Sequence, residues 1–187
     1  LPVLCIGHAA FADLAAHAGA SVRVDGMHLQ VFDSAPADGW QRVFQVNFFA
    51  PILLARGLVD ESARGNGSVV NVTSIAGGRV HPFAGAAYAT SKAALAALTR
   101  EMAHDFGPLG VRVNAICPGA TLTPFHIKRA AEARKSGIEI DHQRYEQNLL
   151  KRWADPLEIA YPILWLASSE ASFITGSCLM ADAGTVG

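Results

Sequence analysis

The chain has 187 residues, of which 51% are hydrophobic and 17% are charged, and its formal net charge is −1. This length predicts one domain with a substantial core, and this composition excludes a disordered chain. No long basic block is present, so nothing favours binding to nucleic acid or to an anionic membrane surface. The odd number and wide spacing of the cysteines exclude a disulfide framework and predict a reducing, cytoplasmic location; they are Cys5, Cys117 and Cys178.

Neither a secretory leader nor a membrane-spanning helix is predicted. Apolar runs such as FFAPILLARGLV are interrupted by Arg56, well short of the roughly 20 residues that a spanning helix needs. The first residue is Leu1 rather than a methionine. Either the start of the protein has been processed, or this sequence is not a whole translation product.

Strands and helices are predicted to alternate along the chain. PVLCI and SVRV predict short buried strands on either side of a helix, HAAFADLAAHAG, that ends at Gly19. A long helix is predicted from the N-cap Asp38 through WQRVFQVNFFAPILLARGLVDESA to a turn at 65–67. The β-branched run SVVNVTS that follows is typical of a parallel strand covered on both faces.

The second half of the chain continues this alternation. A helix that includes Tyr88 ends at Gly107-Pro108, and the strand VRVNAIC comes next. Asp155 is the N-cap of another helix, with a proline in its first turn and an acid three residues on, and Pro162 should kink this helix or remove a hydrogen bond. SCLMA is the last strand. The pattern predicts an α/β fold with a parallel sheet.

Residues 122–152 differ from this alternation because they are long, polar and weakly periodic. Insertions of this kind are often lids over a site. Their basic excess is compatible with an anionic substrate, although a solvated face explains such an excess more often. The basic residues are at 128, 129, 134, 135, 144, 151 and 152, and the acidic ones are at 132, 139, 141 and 146.

Four polar side chains are predicted to meet at one edge of the sheet. Tyr88 and Lys92 are about one helical turn apart and share a face. Ser74 ends the strand before their helix, and open α/β sheets bind ligands beyond the carboxyl ends of their strands. Asn47 is an amide in an apolar helical stretch, where it needs a polar partner or has a task. Each of the four could also have a purely structural role, as a surface pair, a strand cap or a partner of buried backbone.

Five segments occur in a fixed order along residues 27–187: DGWQRVFQVNFFA, GSVVNVTSIAGG, YATSK, VRVNAICPGATLTP and ASFITGSCLMADAG. Together they resemble the short-chain dehydrogenase/reductase family. The resemblance implies a doubly wound, Rossmann-type parallel sheet and NAD or NADP as cofactor. It implies that Asn47, Ser74, Tyr88 and Lys92 are catalytic, with Asn47 holding a water in a proton relay and Lys92 also binding the nicotinamide ribose.

The same resemblance implies further contacts and an assembly. Pro118 and Gly119 would bring backbone close to the nicotinamide, and Thr123 would hold its carboxamide. Homotetramers or homodimers are expected to form through the helices at 38–63 and 88–106. No metal site is expected, because the seven histidines show no metal spacing, and His126 is the one candidate for substrate contact. The full set implied to bind the cofactor is Tyr88, Lys92, Pro118, Gly119, Thr121 and Thr123.

These groups suit the interconversion of an alcohol and a carbonyl compound. Ser74 can hold the carbonyl oxygen by a hydrogen bond while Tyr88 donates a proton to it. A free phenol has a pKa of about 10, which is too high for balanced proton transfer near neutrality. We expect the ammonium of Lys92 to lower that pKa, because it favours the phenolate.

The opening departs from the family pattern, since residues 1–26 have room for only part of a βαβ unit. Gly7 precedes a predicted helix without the further glycines of a dinucleotide turn, and RVDG stands near the place of the family's Asn-Asn-Ala-Gly stretch. The opening could be the first strand, first helix and second strand, with Asp25 favouring NAD. It could instead be the second strand, second helix and third strand, which fits slightly better and leaves the cofactor undecided.

Three explanations fit the missing glycines: segments absent from this sequence, a degenerate relative that binds no cofactor, or different chemistry on the same scaffold. The retained catalytic set favours the first explanation, and with it an oxidoreductase that acts on a small alcohol or ketone. The alternative is a non-enzymatic relative whose helices 38–63 and 88–106 form an assembly interface. An epimerase-like or dehalogenase-like variant is disfavoured by the presence of Lys92.

Overall fold

The computed structural model describes residues 3–6, 21–24, 27–30, 37–80, 84–135 and 148–185, the first three ranges as backbone. The predicted helix at 8–19 lies outside these ranges. The strands are β1 (Val3–Ile6), β2 (Ser21–Val24), β3 (Met27–Gln30), β4 (Ser68–Val72), β5 (Arg112–Pro118) and β6 (Cys178–Ala181). The helices are α1 (Ala37–Phe44), α2 (Ala50–Arg64), α3 (Ala86–Phe106), α4 (Pro124–Lys135) and α5 (Pro156–Ala167).

Four of the strands form a parallel sheet in the order β1-β4-β5-β6. Val70 in the middle of β4 pairs with Cys5 of β1 and with Asn114 of β5. On the other side of β5, Ile116 pairs with Leu179 of β6. All residues of β4 are buried, as its β-branched run predicts for a strand covered on both faces.

Helices cover both faces of this sheet. On one face, Val69 packs with Ala55 of α2 and Met102 of α3. On the other face, Val70 packs with Leu166 of α5. Neighbouring residues of a strand point to opposite faces, so the continuous apolar strands bury side chains in two layers. The predicted doubly wound, Rossmann-type α/β class is confirmed.

The opening of the chain differs from the predicted arrangement. We expected β1 and β2 to enter the parallel sheet together, but β1 does so and β2 pairs with β3 in a separate two-stranded sheet. This pairing is antiparallel, with Val24 opposite Met27. Asp25 and Gly26 alone separate the two strands, and an Asp-Gly pair between strands is typical of a hairpin. The predicted role of Asp25 itself lies outside the described residues.

The long helix predicted to begin at Asp38 forms, with a π-helical segment, Gln45–Phe49, between α1 and α2. Several apolar side chains along it are exposed, among them Phe49 at 46% and Leu53 at 62%. In the part of the chain that the structure describes, Ala37–Arg64 is the one helix whose length and composition would allow it to cross a membrane. Core and interface helices of soluble proteins can have the same length and composition, so these features do not distinguish a membrane-spanning helix from a helix of a soluble protein.

The predicted lid segment leaves and rejoins the fold at a single place. The backbone N–H of Leu122 donates to the carbonyl of Ala154, and the N–H of Ala154 donates to the carbonyl of Ala120, both at 2.9 Å. Between these stems lies α4, and residues 136–147 are outside the described ranges. At the returning stem, Arg152 Nη2 lies 2.6 Å from Glu158 Oε1. One of the basic residues of this segment therefore already has an acidic partner.

Candidate active site

Ser74 lies directly after β4 and serves as the N-cap of a short 3₁₀ turn, Ile75–Gly77. Its Oγ accepts the backbone N–H of Ala76 at 3.2 Å. This bond occupies an acceptor position and leaves the hydroxyl proton for another partner. Ser74 also makes a side-chain hydrogen bond with Tyr88. The capping role and the contact with Tyr88 are thus both present.

Tyr88 and Lys92 share one face of α3, as predicted. Lys92 Nζ lies 5.8 Å from the centroid of the Tyr88 ring and donates to the carbonyl of Val72, the last residue of β4, at 2.8 Å. The Lys92 side chain is buried, with 3% exposure. The structure therefore brings Ser74, Tyr88 and Lys92 together at the carboxyl end of β4.

Gly77 allows this convergence because it packs directly against the backbone of α3. A Cβ atom at Gly77 would lie 2.7 Å from the carbonyl carbon of Lys92 and 2.8 Å from the nitrogen of Ala93. Non-bonded carbon atoms normally stay about 3.5–4.0 Å apart, so a side chain would force the loop after β4 away from α3. Only glycine keeps Ser74 close to the turn that carries Tyr88.

The pKa of Tyr88 is raised above its ordinary value, chiefly because burial disfavours the phenolate, while the hydrogen bond from Ser74 acts in the opposite direction. The prediction that Lys92 lowers this pKa is therefore wrong for this arrangement of the site. The amine of Lys92 is directed to the carbonyl of Val72, and it does not offset the loss of water around the phenol. Tyr88 is protonated in this state and is ready to act as an acid.

Burial also shifts the pKa of Lys92, in the downward direction expected for an amine. Its pKa is lowered from 10.5 to about 8, because burial disfavours the charged form. At neutral pH the side chain is still mainly an ammonium. Above pH 8 it becomes mainly neutral, so both the charge and the number of protons that Lys92 can donate change within a range accessible to assays.

Asn47 reaches the same turn of α3 through a residue that the sequence pattern did not single out. Asn47 lies in the π-helical segment and is 5% exposed. Its Nδ2 donates to Ser91 Oγ at 3.0 Å, and Ser91 Oγ donates to the carbonyl of Tyr88 at 2.7 Å. Asn47 is thus linked to the site indirectly. Ser91 is three residues beyond Tyr88 on a helix, a spacing that could have indicated the contact.

Comparison with known proteins identifies the family. The family model described as enoyl-(acyl carrier protein) reductase matches residues 9–186. The crystal structure of a short-chain dehydrogenase/reductase family oxidoreductase from Brucella ovis, in complex with a partially ordered NAD, is 52% identical with a TM-score of 0.58, covering 79% of this chain and 54% of that one. The chain belongs to the short-chain dehydrogenase/reductase family.

Two curated relatives agree with this assignment. Protein FixR of Bradyrhizobium diazoefficiens is 53% identical over 148 residues, which are 79% of this chain and 49% of FixR. The 3beta-hydroxysteroid dehydrogenase of Mediterraneibacter gnavus is 35% identical over 161 residues, which are 79% of this chain and 58% of that enzyme. This short-chain dehydrogenase/reductase therefore spans about half of the length of the relatives that it matches.

In this family member, the turn after β5 packs tightly against the segment after β6. The N–H of Gly119 donates to the carbonyl of Ala181 at 3.0 Å, and a Cβ at Gly119 would lie 2.8 Å from the Cα of Asp182. Asp182 pairs with Arg79, Oδ2 to Nη2, at 3.3 Å. Arg79 follows the Ser74 turn, so this ion pair joins the loops after β4 and β6. A single sequence gives no signal for a pair so far apart along the chain.

The remaining predicted cofactor residues lie on the segment that leads into α4. Thr121 forms a bridge with Ala154, and its Oγ1 donates to the carbonyl of Gly119 at 3.2 Å. Thr123 Oγ1 and His126 Nδ1 share a hydrogen bond at 2.9 Å. The hydroxyls of Thr121 and Thr123 thus form hydrogen bonds within their own segment. Among the described contacts, none links them to Ser74, Tyr88 or Lys92.

The donor set fits one end of a nicotinamide dinucleotide. A hydroxyl, a phenol and an ammonium converge beyond β4, which suits a ribose diol and a carbonyl oxygen, and the glycine turn at Gly119 lies at the end of the neighbouring strand. The candidate for the pyrophosphate end, the turn at Gly7, is outside the described residues. The described residues therefore fit the nicotinamide end of the cofactor.

Proposed function

We propose that the chain is an NAD- or NADP-dependent oxidoreductase that interconverts a small alcohol and a ketone or aldehyde. The observation that carries the proposal is the convergence of Ser74, Tyr88 and Lys92 at the carboxyl end of β4. Open α/β sheets bind ligands at this edge. A nicotinamide dinucleotide bound there supplies or accepts the hydride. All other steps follow from the side chains of the chain itself.

Ser74 and Tyr88 act on the substrate oxygen. In the direction of reduction, negative charge develops on the carbonyl oxygen, and the hydroxyl proton of Ser74 stabilises it by a hydrogen bond. Tyr88 donates its phenolic proton to the same oxygen. Tyr88 carries this proton at neutral pH because burial raises the pKa of the phenol. In the direction of oxidation, the phenolate of Tyr88 accepts the alcohol proton while Ser74 holds the oxygen in place.

Lys92 and Asn47 support the proton transfer. The Lys92 ammonium binds the ribose hydroxyls and so holds the dinucleotide beside the Tyr88 phenol. Its hydrogen bond to Val72 keeps it at the end of β4 throughout. Asn47, linked to the same helical turn, holds a water that returns a proton from solvent. Pro118, at the end of β5, and Gly119, Thr121 and Thr123, on the segment that follows it, contact the nicotinamide end.

The relatives support this reading and suggest probes. The structure from Brucella ovis contains NAD, and the relative from Mediterraneibacter gnavus is a 3beta-hydroxysteroid dehydrogenase. A secondary alcohol on a ring is therefore a reasonable first substrate class. Titration with each dinucleotide distinguishes NAD from NADP as the cofactor.

A second function, assembly, is favoured by exposed apolar side chains on the helix Ala37–Arg64. Phe49 and Leu53, which are four residues apart and therefore share a helical face, are 46% and 62% exposed. Monomers seldom leave large apolar patches in water. We propose that this face packs against a second copy of the chain in a homodimer or homotetramer, which is compatible with catalysis and would be retained by an inactive relative.

The experiment that tests the oxidoreductase proposal is oxidation of alcohols by the purified chain with NAD⁺ or NADP⁺. Cyclopentanol, 2-butanol and a 3β-hydroxysteroid are the probes, and absorbance of the reduced nicotinamide is the readout. Because burial raises the pKa of Tyr88, the base form becomes more abundant as pH rises, so we expect alcohol oxidation to speed up with pH and ketone reduction to slow down. Turnover with no such opposite pH dependence would contradict the role of Tyr88.

A further inference from the structure

Ser91 lies between two residues of the proposed site and is completely buried, with 0% exposure. Its hydroxyl donates to the carbonyl of Tyr88 at 2.7 Å and accepts from Asn47 Nδ2 at 3.0 Å. A hydroxyl has one proton to donate. Since that proton goes to a carbonyl oxygen, which can only accept, Asn47 has to present its NH₂ group to Ser91.

This directionality fixes the orientation of the Asn47 amide. A primary amide has a donor end and an acceptor end, which exchange places when the group rotates by half a turn. After such a rotation, Oδ1 of Asn47 would face Ser91 Oγ, whose proton is already committed to Tyr88. Two acceptor oxygens would then face each other in a buried position, which is costly. One orientation of the amide is therefore strongly preferred.

The carbonyl that Ser91 contacts belongs to the helical turn between Tyr88 and Lys92. In an α-helix the carbonyl of residue 88 also accepts the backbone N–H of residue 92. Ser91 therefore adds a second donor to the turn that sets the spacing of the acid and the ammonium. On its other side it holds the π-helical segment Gln45–Phe49, a type of irregularity that is frequent at functional sites.

We propose that Ser91 is a positioning residue for the reaction. It holds the Asn47 amide in a single orientation against the Tyr88–Lys92 turn, so that the same polar atom of Asn47 faces the proton relay in every molecule. Ser91 acts through Asn47 and touches neither substrate nor cofactor. The inference rests on the proposed function, because it assigns Ser91 a part in the same site.

The same helix provides a matched control. Thr99 is also completely buried; its hydroxyl donates to the carbonyl of Leu95 at 2.8 Å and accepts from Asn71 Nδ2 at 3.0 Å. This repeats the bonding of Ser91, about two turns further along α3, at a place without proposed site residues. Ser91→Ala and Thr99→Val each delete one hydroxyl and the same two kinds of hydrogen bond.

The test compares the wild type with Ser91→Ala, Ser91→Thr and Thr99→Val in oxidation of the alcohol probe, in unfolding and in NMR of the Asn47 side-chain amide. We expect Ser91→Ala to lower kcat about 10-fold to 100-fold relative to Thr99→Val, because the relay is misplaced. We expect the KM for the dinucleotide to change by less than about twofold. Ser91→Thr should recover most of kcat, because it keeps the hydroxyl. The amide protons of Asn47 should exchange faster in Ser91→Ala and be unchanged in Thr99→Val.

Equal kcat values for Ser91→Ala and Thr99→Val, or an unchanged Asn47 amide in Ser91→Ala, would overturn the inference and leave the proposed function standing. A second arm uses Asn47→Ala as the background. Because Ser91 acts through Asn47, deleting its hydroxyl there should lower kcat little further, and fully multiplicative losses would also overturn the inference. A folded wild type that binds no dinucleotide and oxidises no probe would remove the proposed function and the inference together.

Discussion

The Tyr88→Phe variant is expected to lose about 100-fold to 10,000-fold in kcat for alcohol oxidation, while its affinity for the dinucleotide stays close to that of the wild type. The substitution removes the phenolic oxygen that hydrogen-bonds with Ser74 and keeps the ring, so packing of α3 is conserved. General acid–base catalysis contributes about 10² to 10⁴ in rate, and no other phenol is described near Ser74. Initial rates over a range of pH, together with calorimetric binding of the dinucleotide, measure both quantities.

Tyr161→Phe is the matched control for this result, because Tyr161 is 62% exposed on α5 and loses the same oxygen. It should keep the rate of the wild type. The size of the assembly in solution should be the same in all three proteins, since the apolar face of Ala37–Arg64 is untouched. A Tyr88→Phe variant with more than about a tenth of the wild-type kcat would contradict the assignment of Tyr88 as acid and base.

The Lys92→Met variant is expected to lose most of its activity and yet to gain stability near neutral pH. The folded-state pKa of Lys92 is about 8, against about 10.4 in an unfolded chain. Below pH 8 both states hold the proton, and the charge is buried at a cost of about 3 kcal/mol. Methionine has a similar length and no charge, so it removes this cost, which the lost hydrogen bond to Val72 offsets in part.

The pH dependence gives this prediction a definite sign. Between pH 8 and about 10.5 the unfolded chain still holds the proton that folded Lys92 has released, so the wild type gains stability with rising pH by up to about 1.4 kcal/mol per unit. The Lys92→Met variant lacks this contribution. Urea unfolding at pH 7.5 and 9.5 should therefore show the wild type improving by about 2 kcal/mol relative to the variant. A difference that stays constant or reverses would show that Lys92 is not a buried, charged amine.

The carboxyl-end rule for α/β sheets predicted much of the site from the sequence. SVVNVTS identified a buried parallel strand, and its last residue, Ser74, had to lie at the ligand-binding edge. The spacing of Tyr88 and Lys92 placed both on one helical face. The structure brings these three residues together. Their catalytic roles remain predictions, as do the roles of Pro118, Gly119, Thr121 and Thr123.

The sequence could not give the direction of the Tyr88 pKa shift. That direction depends on how much water burial removes, and on where the Lys92 amine points, and both are set by packing between distant elements. The contact of Ser91 with Asn47 and the ion pair of Arg79 with Asp182 are hidden for the same reason. Local spacing says nothing about which polar groups meet across elements.

The antiparallel pairing of β2 with β3 was available in the sequence and was not predicted. Asp25-Gly26 between two short apolar runs is a hairpin signal. The expected parallel βαβ opening left no place for such a hairpin, because it assigned residues 21–24 to the parallel sheet. The structure pairs β2 with β3 in antiparallel orientation, and the two strands are too close in sequence for a parallel crossover.

Calorimetric titration of the purified, folded chain with NADH and then NADPH, after its intact mass has been checked, tests the central claim most directly. We expect saturable binding of at least one dinucleotide in the micromolar range, abolished by excess of the oxidised form, which competes for the same site. The titration would also identify which dinucleotide is the cofactor. Absence of heat with both dinucleotides, from a chain of the correct mass that unfolds cooperatively, would contradict the oxidoreductase proposal and leave assembly through Ala37–Arg64 as the function to pursue.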